Sequence, residues 1–328
     1  MMKPKRAREL VGDFANCPIA VLGDLMLDHY VWGDVDRISP EAPIPVVRVD
    51  HESTMLGGAG NVARNLASLG AEVSLIAVVG GDAAGNDLRA RAEEWKLAPD
   101  GIVTDPTRVT TQKTRVIARG QQVVRYDRET EEPIGAAAAD RVLAQIRAIA
   151  PRVRGVVIED YGKGLLTPAL IARALGVFEE QGVRVFVDPK NPPWDVFRGV
   201  ELLKPNCREA EIACRLRVRT DDDMERVIEQ VLQASGARAV AVTRGAEGMT
   251  LLEAGGAPAH VRGTRRAVAD AAGAGDTAIS VLALARLAGA SWTEAAELAN
   301  GAAGFVVAIR GTATLSPSDL LREMERIQ

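Results

Sequence analysis

The chain has 328 residues, of which 47% are hydrophobic and 26% charged, and its formal net charge is −4. This composition is ordinary for a globular protein, so it excludes wholesale disorder, and the small acidic excess argues against a dedicated nucleic-acid binder. Only 4% of the residues are aromatic, whereas 31 are glycine. We therefore expect an aliphatic core and many positions for tight turns or for close approach of the backbone to a ligand.

The cysteines and the N-terminal residues give no sign of export. Cys17, Cys207 and Cys214 form no CxxC pair, so the sequence predicts neither a disulfide framework nor a zinc knuckle. Glu9 and Asp13 interrupt the stretch where a signal peptide needs an apolar region, and no apolar run approaches the roughly 18 residues of a membrane span. We expect a cytoplasmic protein with neither a membrane nor a nucleic acid as partner.

Short apolar runs alternate with amphipathic helical patterns along the chain. The predicted strands are Ile19–Gly23, Val73–Val79, Gly155–Ile158, Val183–Val187, Val200–Leu203 and Ala239–Thr243. The predicted helices are Asn61–Leu69, Ala84–Trp95, Ala137–Ile149, Pro168–Glu180, Arg208–Arg215, Asp222–Ala234, Gly275–Leu287, Trp292–Arg310 and Pro317–Ile327. Continuous apolar strands that alternate with helices are typical of an open α/β fold, with a parallel sheet buried on both faces.

Two more polar segments interrupt this alternation. Val31–Thr54 and Thr110–Arg128 alternate apolar with polar residues, and Gly120-Gln121 is the predicted turn in the second segment. Because these strands are too polar for the central sheet, we predict a small second sheet at its edge, formed by inserts at about residues 31–54 and 110–128. Such a sheet can act as a lid that excludes water in an enzyme, and a surface hairpin without function has the same pattern.

A glycine-rich segment precedes one of the last helices. Residues 270–276 read DAAGAGD and run directly into an apolar helical pattern. A glycine-rich turn at a helix start exposes several backbone N–H groups, and the helix dipole favours an anion there. Asp276 has two interpretations at this place. It is either an N-cap, or a general base that takes a proton from a substrate hydroxyl while the amides stabilise a transferring phosphoryl group.

Three further groups of residues suit ligands. Gly57–Asn61 opens a helix, where the backbone can approach a sugar closely, although a tight helix entry has the same pattern. Asp24 and Asp28 follow the first strand, where a carboxylate can bind sugar hydroxyls; without other observations a solvated loop acid is the favoured interpretation. Asn206 and Glu209 are one helical turn apart, and their spacing fits a hydrated Mg²⁺ site and a helix-capping pair equally well.

Two motifs of nucleotide-binding enzymes are absent from the sequence. No Walker A pattern is present, and no complete GxGxxG follows the first strand. These absences argue against a P-loop enzyme and against a standard dinucleotide-dependent enzyme.

Taken together, these segments resemble the PfkB or ribokinase-like family of sugar kinases across nearly the whole chain. The family's two signature regions correspond to Gly57–Asp82 and Asp270–Asp276, although Ala272 stands where the family usually has a polar residue. Asn206 and Glu209 match the NxxE pair, and Thr243–Gly248 resembles the nucleotide-side TxGxxG loop. The resemblance implies a three-layer α/β/α sandwich with a mainly parallel central sheet and a small β-sheet lid, as a single domain over residues 1–328.

Within the family, four segments are similar to the heptose 7-phosphate kinases of lipopolysaccharide synthesis. They are Gly23–Asp28, Arg37–Val46, Asp160–Gly164 and Asp188–Lys190. Many members of that group carry a second, nucleotidyltransferase domain, and the short distance from Arg310 to the last residue favours the stand-alone kinase form. Glu159 is a departure, because a small residue is expected before Asp160.

The resemblance implies transfer of a phosphoryl group from ATP, with Mg²⁺, to C1 of D-glycero-β-D-manno-heptose 7-phosphate. The implied catalytic residues are Asp276, Gly275, Ala274 and Gly273, with Asp276 as general base. The backbone N–H groups of Ala274, Gly275 and Asp276 form the implied anion hole. The implied substrate-binding residues are Asp28, Gly57, Gly58, Asn61, Asp160, Lys190, Arg119 and Arg125, with Lys190 the first choice for a substrate phosphate. The implied nucleotide-binding residues are Asn206, Glu209, Thr243, Gly245, Gly248 and Asn300, of which Asn206 and Glu209 act on Mg²⁺ through water or phosphate.

Further implications are a monovalent cation near Asp270 and Gly311 and a homodimer formed through the lid sheet. Two other functions fit the same features. The chain is either another PfkB-type sugar or sugar-phosphate kinase, against which residues 37–46 argue, or a catalytically silent sugar-binding module. The intact Asp276 argues against a silent module, because such a module has no chemical need for this carboxylate.

Overall fold

Thirteen strands form two sheets in a computed structural model that describes residues 2–190, 192–263, 269–309 and 311–327. The strands are β1 (Ile19–Gly23), β2 (Leu25–Ile38), β3 (Pro45–Gly58), β4 (Val73–Gly80), β5 (Ile102–Asp105), β6 (Thr111–Ala118), β7 (Gln121–Arg128), β8 (Gly155–Glu159), β9 (Arg184–Asp188), β10 (Leu202–Leu203), β11 (Ala239–Thr243), β12 (Gly248–Glu253) and β13 (Ala259–Arg262). The central sheet has nine of them, in the order β13-β12-β11-β10-β9-β8-β1-β4-β5. In this order, the strands from β11 across the sheet to β5 are parallel to one another. At the other edge, β12 is antiparallel to β11 and β13 is antiparallel to β12.

Helices cover both faces of the central sheet. They are α1 (Pro4–Gly12), α2 (Ala59–Ser68), α3 (Ala83–Glu94), α4 (Ala136–Ile149), α5 (Pro168–Glu180), α6 (Cys207–Cys214), α7 (Asp221–Ser235), α8 (Ala274–Leu287), α9 (Trp292–Val306) and α10 (Pro317–Arg326). Side chains alternate along each strand, so Val21 and Val157 join one core while Leu22 and Ile158 join the other. The first core also holds residues of α1 to α3 and α8 to α10, and the second holds residues of α4 to α7. The predicted three-layer α/β/α architecture is confirmed.

Most predicted elements agree with the structure to within a few residues, and the differences have physical causes. The predicted elements do not include α1 and three of the strands, of which β5 and β13 have four residues each, too few for periodicity to stand out. The predicted helix after Trp292 extends to Arg310, whereas α9 ends at Val306 and Arg310 lies outside the described residues. No described helix has both the length and the apolar character to cross a bilayer.

The small sheet has four strands in the order β3-β2-β6-β7. Both β2 and β3 are longer than predicted, because β2 begins at Leu25 and β3 ends at Gly58. These two residues pair with each other. β6 and β7 form the predicted hairpin, but its two-residue turn is Arg119-Gly120, one residue earlier than expected. Both residues have positive φ angles, 51° and 75°, which suits the tight turn of a two-residue hairpin. The small sheet thus carries Asp28 on a strand rather than in a loop.

The topology brings polar residues together at one edge of the central sheet. Glu159 and Asp188 are the last residues of β8 and β9, and Thr243 is the last residue of β11. Lys204 directly follows β10, and its backbone N–H still donates to Val187 on β9 at 2.8 Å. Because parallel strands end at the same edge, these side chains meet at the place where open α/β sheets bind their ligands.

Candidate active site

A cavity of about 720 Å³ opens at this edge of the central sheet. The ends of β8 to β11, the start of α8 and one side of α9 line it. Of the residues predicted for the site, the cavity brings together Gly273, Ala274, Gly275, Asp276, Asp160, Lys190, Asn206, Glu209, Thr243, Gly245, Gly248 and Asn300. Residues separated by more than 100 positions in the chain therefore share one space, large enough for a nucleotide.

Asp276 lies in the first turn of α8 and is buried. Its Oδ2 accepts a hydrogen bond from Asn61 Nδ2 at 2.6 Å, and its Oδ1 accepts one from the Tyr161 hydroxyl at 3.1 Å. Burial, with a contribution from the nearby Asp188 charge, raises the pKa of Asp276 from 3.8 to about 6, although both hydrogen bonds and Lys204 oppose the rise. A carboxylate with this pKa is ionised at neutral pH and is still basic enough to accept a proton.

The glycine-rich turn presents backbone amides beside this carboxylate. Gly273 precedes α8 with φ 79°, a left-handed conformation that glycine adopts without strain. A Cβ at this position would lie 2.8 Å from Asn61 Nδ2, so glycine also leaves room for the Asn61 amide. The N–H groups of the first helical turn have no acceptor four residues earlier within the helix, and that of Ala274 reaches only Ala271 O, at 3.4 Å. The turn thus offers hydrogen-bond donors to an anion.

Lys204 supplies a buried cation next to this turn. Its Nζ lies 2.7 Å from Asp188 Oδ2, and only 2% of its side chain is exposed. A Cβ on Gly275 would be 3.7 Å from the Lys204 ammonium, which places the cation beside the amides of the turn. Burial opposes the charged form, but the carboxylates of Asp188, Glu159 and Asp276 outweigh burial and hold the pKa of Lys204 above its ordinary value. Lys204 is therefore a fixed positive charge at the cavity.

Glu159 adds a third buried carboxylate to Asp188 and Asp276. It is 2% exposed, and its Oε2 has no hydrogen-bond partner among the described residues. Burial and then the charges of Asp188 and Asp276 raise the pKa of Glu159 well above its usual value. Glu159, which departs from the pattern of the family that the sequence resembles, lines the cavity close to Asp188 and Asp276.

The predicted Mg²⁺ pair, Asn206 and Glu209, forms a capping box at the start of α6. Asn206 Oδ1 accepts from Glu209 N at 2.9 Å, and Glu209 Oε2 accepts from Asn206 N at 2.9 Å. This arrangement is the helix-capping alternative that the sequence left open. Glu209 Oε1 is not used by the box and lies 4.0 Å from Lys190 Nζ. Helix capping is therefore confirmed, and the Mg²⁺ role stays a prediction, for which the second carboxylate oxygen lies at the cavity.

The predicted nucleotide side chains lie at the far end of the cavity. The backbones of Asn206 and Thr243 form an isolated parallel β-bridge. Gly245 lies in the turn after Thr243, and Gly248 is the first residue of β12. Asn300 on α9 donates its amide N–H groups to Val261 O at 2.8 Å and Arg262 O at 3.3 Å. Asn300 therefore ties α9 to β13 while it lines the cavity beside small and apolar residues of α9.

On the small sheet, Asp28 lies buried on β2 and forms a 2.5 Å ion pair with Arg115 Nη1 of β6. A Cβ on Gly57 would lie 2.3 Å from Asp28 Oδ2, so only glycine leaves space for this carboxylate. The interpretation of Asp28 as a solvated loop acid is wrong. Gly58 is adjacent and packs near the ring of Tyr161, which links the strand end to Asp276.

Two other carboxylates that the sequence singled out accept hydrogen bonds from backbone N–H groups. Asp24 is buried, and its Oδ2 accepts from the backbone N–H groups of Tyr161 at 2.9 Å and Lys163 at 3.1 Å. Asp160 Oδ1 accepts from Gly162 N at 2.8 Å. Together they shape the loop that carries the Tyr161 hydroxyl to Asp276.

The cations predicted for a substrate phosphate do not gather in one place. Arg119 and Arg125 lie on the small sheet outside the cavity lining, where they pair with Asp34 and Asp127. Lys190 lines the cavity mouth near Glu209 and is about half exposed. A substrate-phosphate role for these three residues stays a prediction, because the structure brings none of them to Asp28.

The loop around Asp270 closes on itself. Asp270 Oδ1 accepts from Ala272 N at 2.9 Å, and its Oδ2 accepts from Gly311 N at 3.1 Å. The monovalent cation predicted near this pair stays a prediction.

Sequence reasoning missed four residues of the site: Lys204, Tyr161, Arg115 and Asp188. Lys204 stands at the end of a predicted buried strand, and a lysine at that place was a usable signal. Tyr161 and Asp188 lay within segments that carried the resemblance, but nothing local to them indicated contacts with Asp276 and Lys204. Arg115 had no distinguishing signal on a strand with many charged residues.

Comparison with known proteins agrees with this geometry. Residues 18–319 match the model of the pfkB family carbohydrate kinases. The chain is 41% identical over 323 residues to the "Bifunctional protein HldE" of Geobacter metallireducens and 43% identical over 307 residues to that of Pelobacter propionicus. These matches cover 98% and 94% of this chain but only 66% and 62% of the relatives, so the chain spans about two thirds of their length.

Solved structures share the fold at low sequence identity. Phosphofructokinase-2 from Escherichia coli, in complex with substrates and products, has a TM-score of 0.79 at 20% identity, with 94% of this chain and 99% of that one covered. Ribokinase from Arabidopsis thaliana, in complex with ribose and ATP, has a TM-score of 0.75 at 20% identity, with the same shares covered. The chain therefore belongs to the pfkB family of carbohydrate kinases.

Proposed function

We propose that this kinase transfers the γ-phosphoryl group of ATP to the C1 hydroxyl of D-glycero-β-D-manno-heptose 7-phosphate and releases ADP and the 1,7-bisphosphate. The observation that carries the phosphoryl-transfer step is the buried Asp276 beside the glycine-rich turn, with Lys204 close to the same turn. The heptose substrate is supported by the similarity of residues 37–46 to heptose 7-phosphate kinases and by the HldE relatives.

The proton transfer follows from the state of Asp276. With a pKa of about 6, its carboxylate is mostly ionised at pH 7 to 8. It accepts the proton of the sugar hydroxyl as the new O–P bond forms and the bond from the γ-phosphorus to ADP breaks. Asn61 and Tyr161 hold the two oxygens of this carboxylate in place, so the base is oriented before substrate arrives.

The transferring phosphoryl group would lie over the first turn of α8. The backbone N–H groups of Ala274, Gly275 and Asp276 belong to this first turn, and the Lys204 ammonium is beside Gly275. Donors that are already fixed in a site with little water stabilise developing charge strongly, because no reorganisation is needed during the reaction. Lys204 and the amides therefore share the charge of the transition state.

The nucleotide would extend from this turn along the cavity. The loop with Thr243, Gly245 and Gly248 and the helix with Asn300 would enclose the base and ribose. Mg²⁺ bound with ATP neutralises charge on the phosphates. Glu209 Oε1, left open by the capping box, and Asn206 would hold the hydrated ion.

The sugar would bind between the small sheet and Asp276. Asp28 can accept hydrogen bonds from sugar hydroxyls, and the buried Asn61 Oδ1 has no partner among the described residues, so it is left as an acceptor. Gly57 and Gly58 allow the sugar to approach the backbone. We propose Lys190 as the first contact for the 7-phosphate, with Arg119 and Arg125 as weaker candidates.

A panel of acceptors tests the proposal directly. Purified protein with ATP and Mg²⁺ would be offered the heptose 7-phosphate, fructose 6-phosphate and ribose, and products followed by phosphorus NMR. The expected product is the 1,7-bisphosphate with ADP. Turnover of fructose 6-phosphate with none of the heptose phosphate would replace the substrate by another of the same class. Sugar binding without any turnover would point to a silent module.

We also propose that two copies of the chain pair through the small sheet. β7 is exposed along its whole length, and Val123, Val124 and Tyr126 on it are at least 40% exposed. Exposed edge strands with apolar side chains are suited to pairing between subunits. Light scattering should give about twice the chain mass, and Val124→Glu with Tyr126→Glu should give the monomer; a monomeric wild type would reject the pairing.

A further inference from the structure

The small sheet joins the rest of the molecule at four places, and one short loop contacts all four. The chain enters the small sheet before β2 and before β6, and it leaves after β3 and after β7. The loop consists of residues 160–164, which follow β8 and carry the Tyr161 hydroxyl to Asp276. We name it the junction loop. No local pattern predicts it, because the four connections lie far apart in the chain.

Three of the connections hold the junction loop by its backbone or by the Tyr161 ring. Asp24, directly before β2, accepts through Oδ2 from the backbone N–H groups of Tyr161 at 2.9 Å and Lys163 at 3.1 Å. Gly58 ends β3, and a Cβ on it would lie 3.5 Å from a ring carbon of Tyr161. Arg108, three residues before β6, donates from Nη2 to the Lys163 carbonyl oxygen.

The fourth connection holds the junction loop through a row of alternating charges, which we name the ion ladder. Lys163 Nζ donates to Glu129 Oε1 and to Glu131 Oε1, each at 2.8 Å, in the segment after β7. Glu129 Oε2 accepts from Lys113 Nζ at 3.2 Å, and Lys113 also pairs with Asp127 at 3.1 Å. Only 11% of the Lys163 side chain and 13% of the Lys113 side chain are exposed. Water therefore screens these pairs less than it screens surface pairs.

The ion ladder runs from the sugar-facing strands to the loop that orients the proposed base. Lys113 on β6 lies directly across from Asp28 on β2. At the other end, Lys163 is two residues from Tyr161, whose hydroxyl donates to Asp276 Oδ1 at 3.1 Å. Burial alone would lower the pKa of the Lys163 ammonium, but its carboxylate partners raise that pKa above the ordinary value. The ladder thus keeps its charge.

We propose that Lys163 is a positioning residue that couples the placement of the small sheet to the orientation of Asp276. Its N–H, its carbonyl and its ammonium contact three of the four connections, so a shift of the sheet at its base moves the loop that carries Tyr161. Lys163 is not among the described residues that line the cavity, so it acts through Tyr161. The catalytic half of this inference rests on the proposed function, because that function takes Asp276 as the base.

Hydrogen exchange of the full chain, without ATP or sugar, tests the structural half. Glu129→Gln removes the charge of the central carboxylate, which lies in the segment after β7 rather than in the junction loop. We expect the backbone amides of Tyr161 and Lys163 to exchange about threefold to tenfold faster in this variant, because the loop opens more often. Mass spectrometry of peptides that cover residues 155–170 measures the rates. Unchanged exchange there would contradict the coupling.

Glu325→Gln is the matched control. Its carboxylate pairs with Arg8 at 2.6 Å between α10 and α1, and both side chains are at least half exposed. This variant should leave exchange in the junction loop within about 1.5-fold of wild type. If Glu129→Gln does not fold, Glu131→Gln takes its place with an expected rise of about twofold, since the Glu131 side chain is 73% exposed. An equal rise in the control would show general loosening and overturn the inference.

Kinetics with ATP, Mg²⁺ and the heptose 7-phosphate test the catalytic half. Lys163→Met should lower kcat by about threefold to tenfold, as loss of the Tyr161 hydroxyl does, and raise the KM for the sugar phosphate, with the KM for ATP within twofold. Lys163→Arg keeps the charge and should restore most of kcat. In the double variant with Tyr161→Phe, kcat should lie within about twofold of Tyr161→Phe alone, because both substitutions act on the same hydrogen bond.

A merely structural lysine gives different results. Multiplied effects in the double variant would overturn the inference, as would a lowered melting temperature of Lys163→Met with unchanged kinetics. An arginine at position 163 that restores neither kcat nor KM would overturn it too. Absence of heptose phosphate turnover by wild type would reject the proposed substrate, and the exchange experiment, which contains no substrate, then decides the coupling by itself.

Discussion

Carboxylates of the central sheet edge and carboxylates of the small sheet behave in opposite ways. Asp276 and Glu159 lie in a buried cluster, and burial raises the pKa of both. Asp34 lies on the surface of β2, where the hydrogen bond from Arg119 lowers the pKa of its carboxyl. The same chemical group thus holds its proton more tightly in one region and less tightly in the other, and only the surroundings differ.

This difference shows where the protein accepts unfavourable charge. An exposed ion pair gains little and costs little, since water screens it. A buried cluster with excess negative charge destabilises the fold, and sites with such clusters are typical of catalysis. The comparison predicts that substitutions in the cluster change activity and stability strongly, whereas substitutions at the exposed ion pairs of the small sheet change both only slightly.

The largest effect outside the base itself is expected for Lys204→Met. Removal of this ammonium leaves Asp188 buried without a cation and takes a positive charge away from the amides of the turn. We expect kcat to fall by about 10² to 10³ and the unfolding free energy to fall by about 3 kcal/mol. Steady-state kinetics and urea denaturation measure the two effects. Lys190→Met, at the half-exposed mouth, is the matched control, and an equal loss of stability there would contradict the distinction.

A second prediction concerns stability against pH, measured without metal. Because folding raises the pKa of Asp276 from 3.8 to about 6, the folded protein holds this proton more tightly than the unfolded chain does. The ionised carboxylate therefore destabilises the native state above about pH 6, and this cost disappears below about pH 4. The difference in unfolding free energy between Asp276→Asn and wild type should shift by about 2.5 kcal/mol in favour of the variant between pH 4 and pH 7.

Asp34→Asn is the opposite case and sharpens the comparison. The lowered pKa of Asp34 means that its ionised form stabilises the fold at neutral pH and loses that effect as the pH falls through the folded pKa. Relative to wild type, this variant should lose a little stability at pH 7 and less than that at pH 3. Denaturation curves at both pH values measure the unfolding free energies. If the stability of Asp34→Asn and of Asp276→Asn, each relative to wild type, changed with pH in the same direction, the comparison would be wrong.

A smaller effect is expected for Tyr161→Phe. Its hydroxyl donates to Asp276 Oδ1 at 3.1 Å and, because the Asp276 charge and burial raise the pKa of Tyr161 well above 10, it stays protonated. Loss of this bond should lower kcat by about threefold to tenfold, the equivalent of about 1 kcal/mol. Tyr126→Phe on the exposed face of β7 is the control. Equal rates for wild type and Tyr161→Phe would mean that Asn61 alone positions the base.

The smallest effect is expected for Arg119→Ala. This arginine is 68% exposed and pairs with Asp34 at the hairpin turn. Water screens the pair, so kcat should change by less than about twofold and the melting temperature by about 1 °C or less. Calorimetry measures the melting temperature, and a kinase assay measures kcat. A tenfold rise in KM for the sugar phosphate would instead bring this arginine into the substrate site.

Local pattern was enough for the layers of the fold. The apolar runs at residues 19–23 and 239–243 are strands with those bounds, since a strand buried on both faces must be apolar throughout. Pattern failed for β5 and β13, because a strand of four residues has too few side chains for periodicity. It also placed the lid too narrowly, because the start of β2 and the end of β3 are apolar and buried like core strands.

The residues of the site also fall into those that a local pattern predicts and those that it does not. Asp276 and the glycines of residues 273–275 could be predicted, because a short motif carries their chemistry and the family resemblance gave them roles. Lys204, Tyr161 and Glu159 could not, because their importance depends on which strand ends are neighbours in the sheet order. The sequence marked Glu159 as unusual but had no means to show that it would face Asp188 and Asp276.

The rate of phosphoryl transfer by Asp276→Asn tests the central claim most directly. Single-turnover experiments with ATP, Mg²⁺ and the sugar phosphate would compare this variant with wild type and with Asp270→Asn. The Asp270 carboxylate accepts hydrogen bonds from Ala272 N and Gly311 N in the same glycine-rich segment. If Asp276 is the general base, its variant should transfer at least about 10³-fold more slowly while it still binds ATP, and Asp270→Asn should lose far less. Transfer by Asp276→Asn within tenfold of wild type would contradict the account.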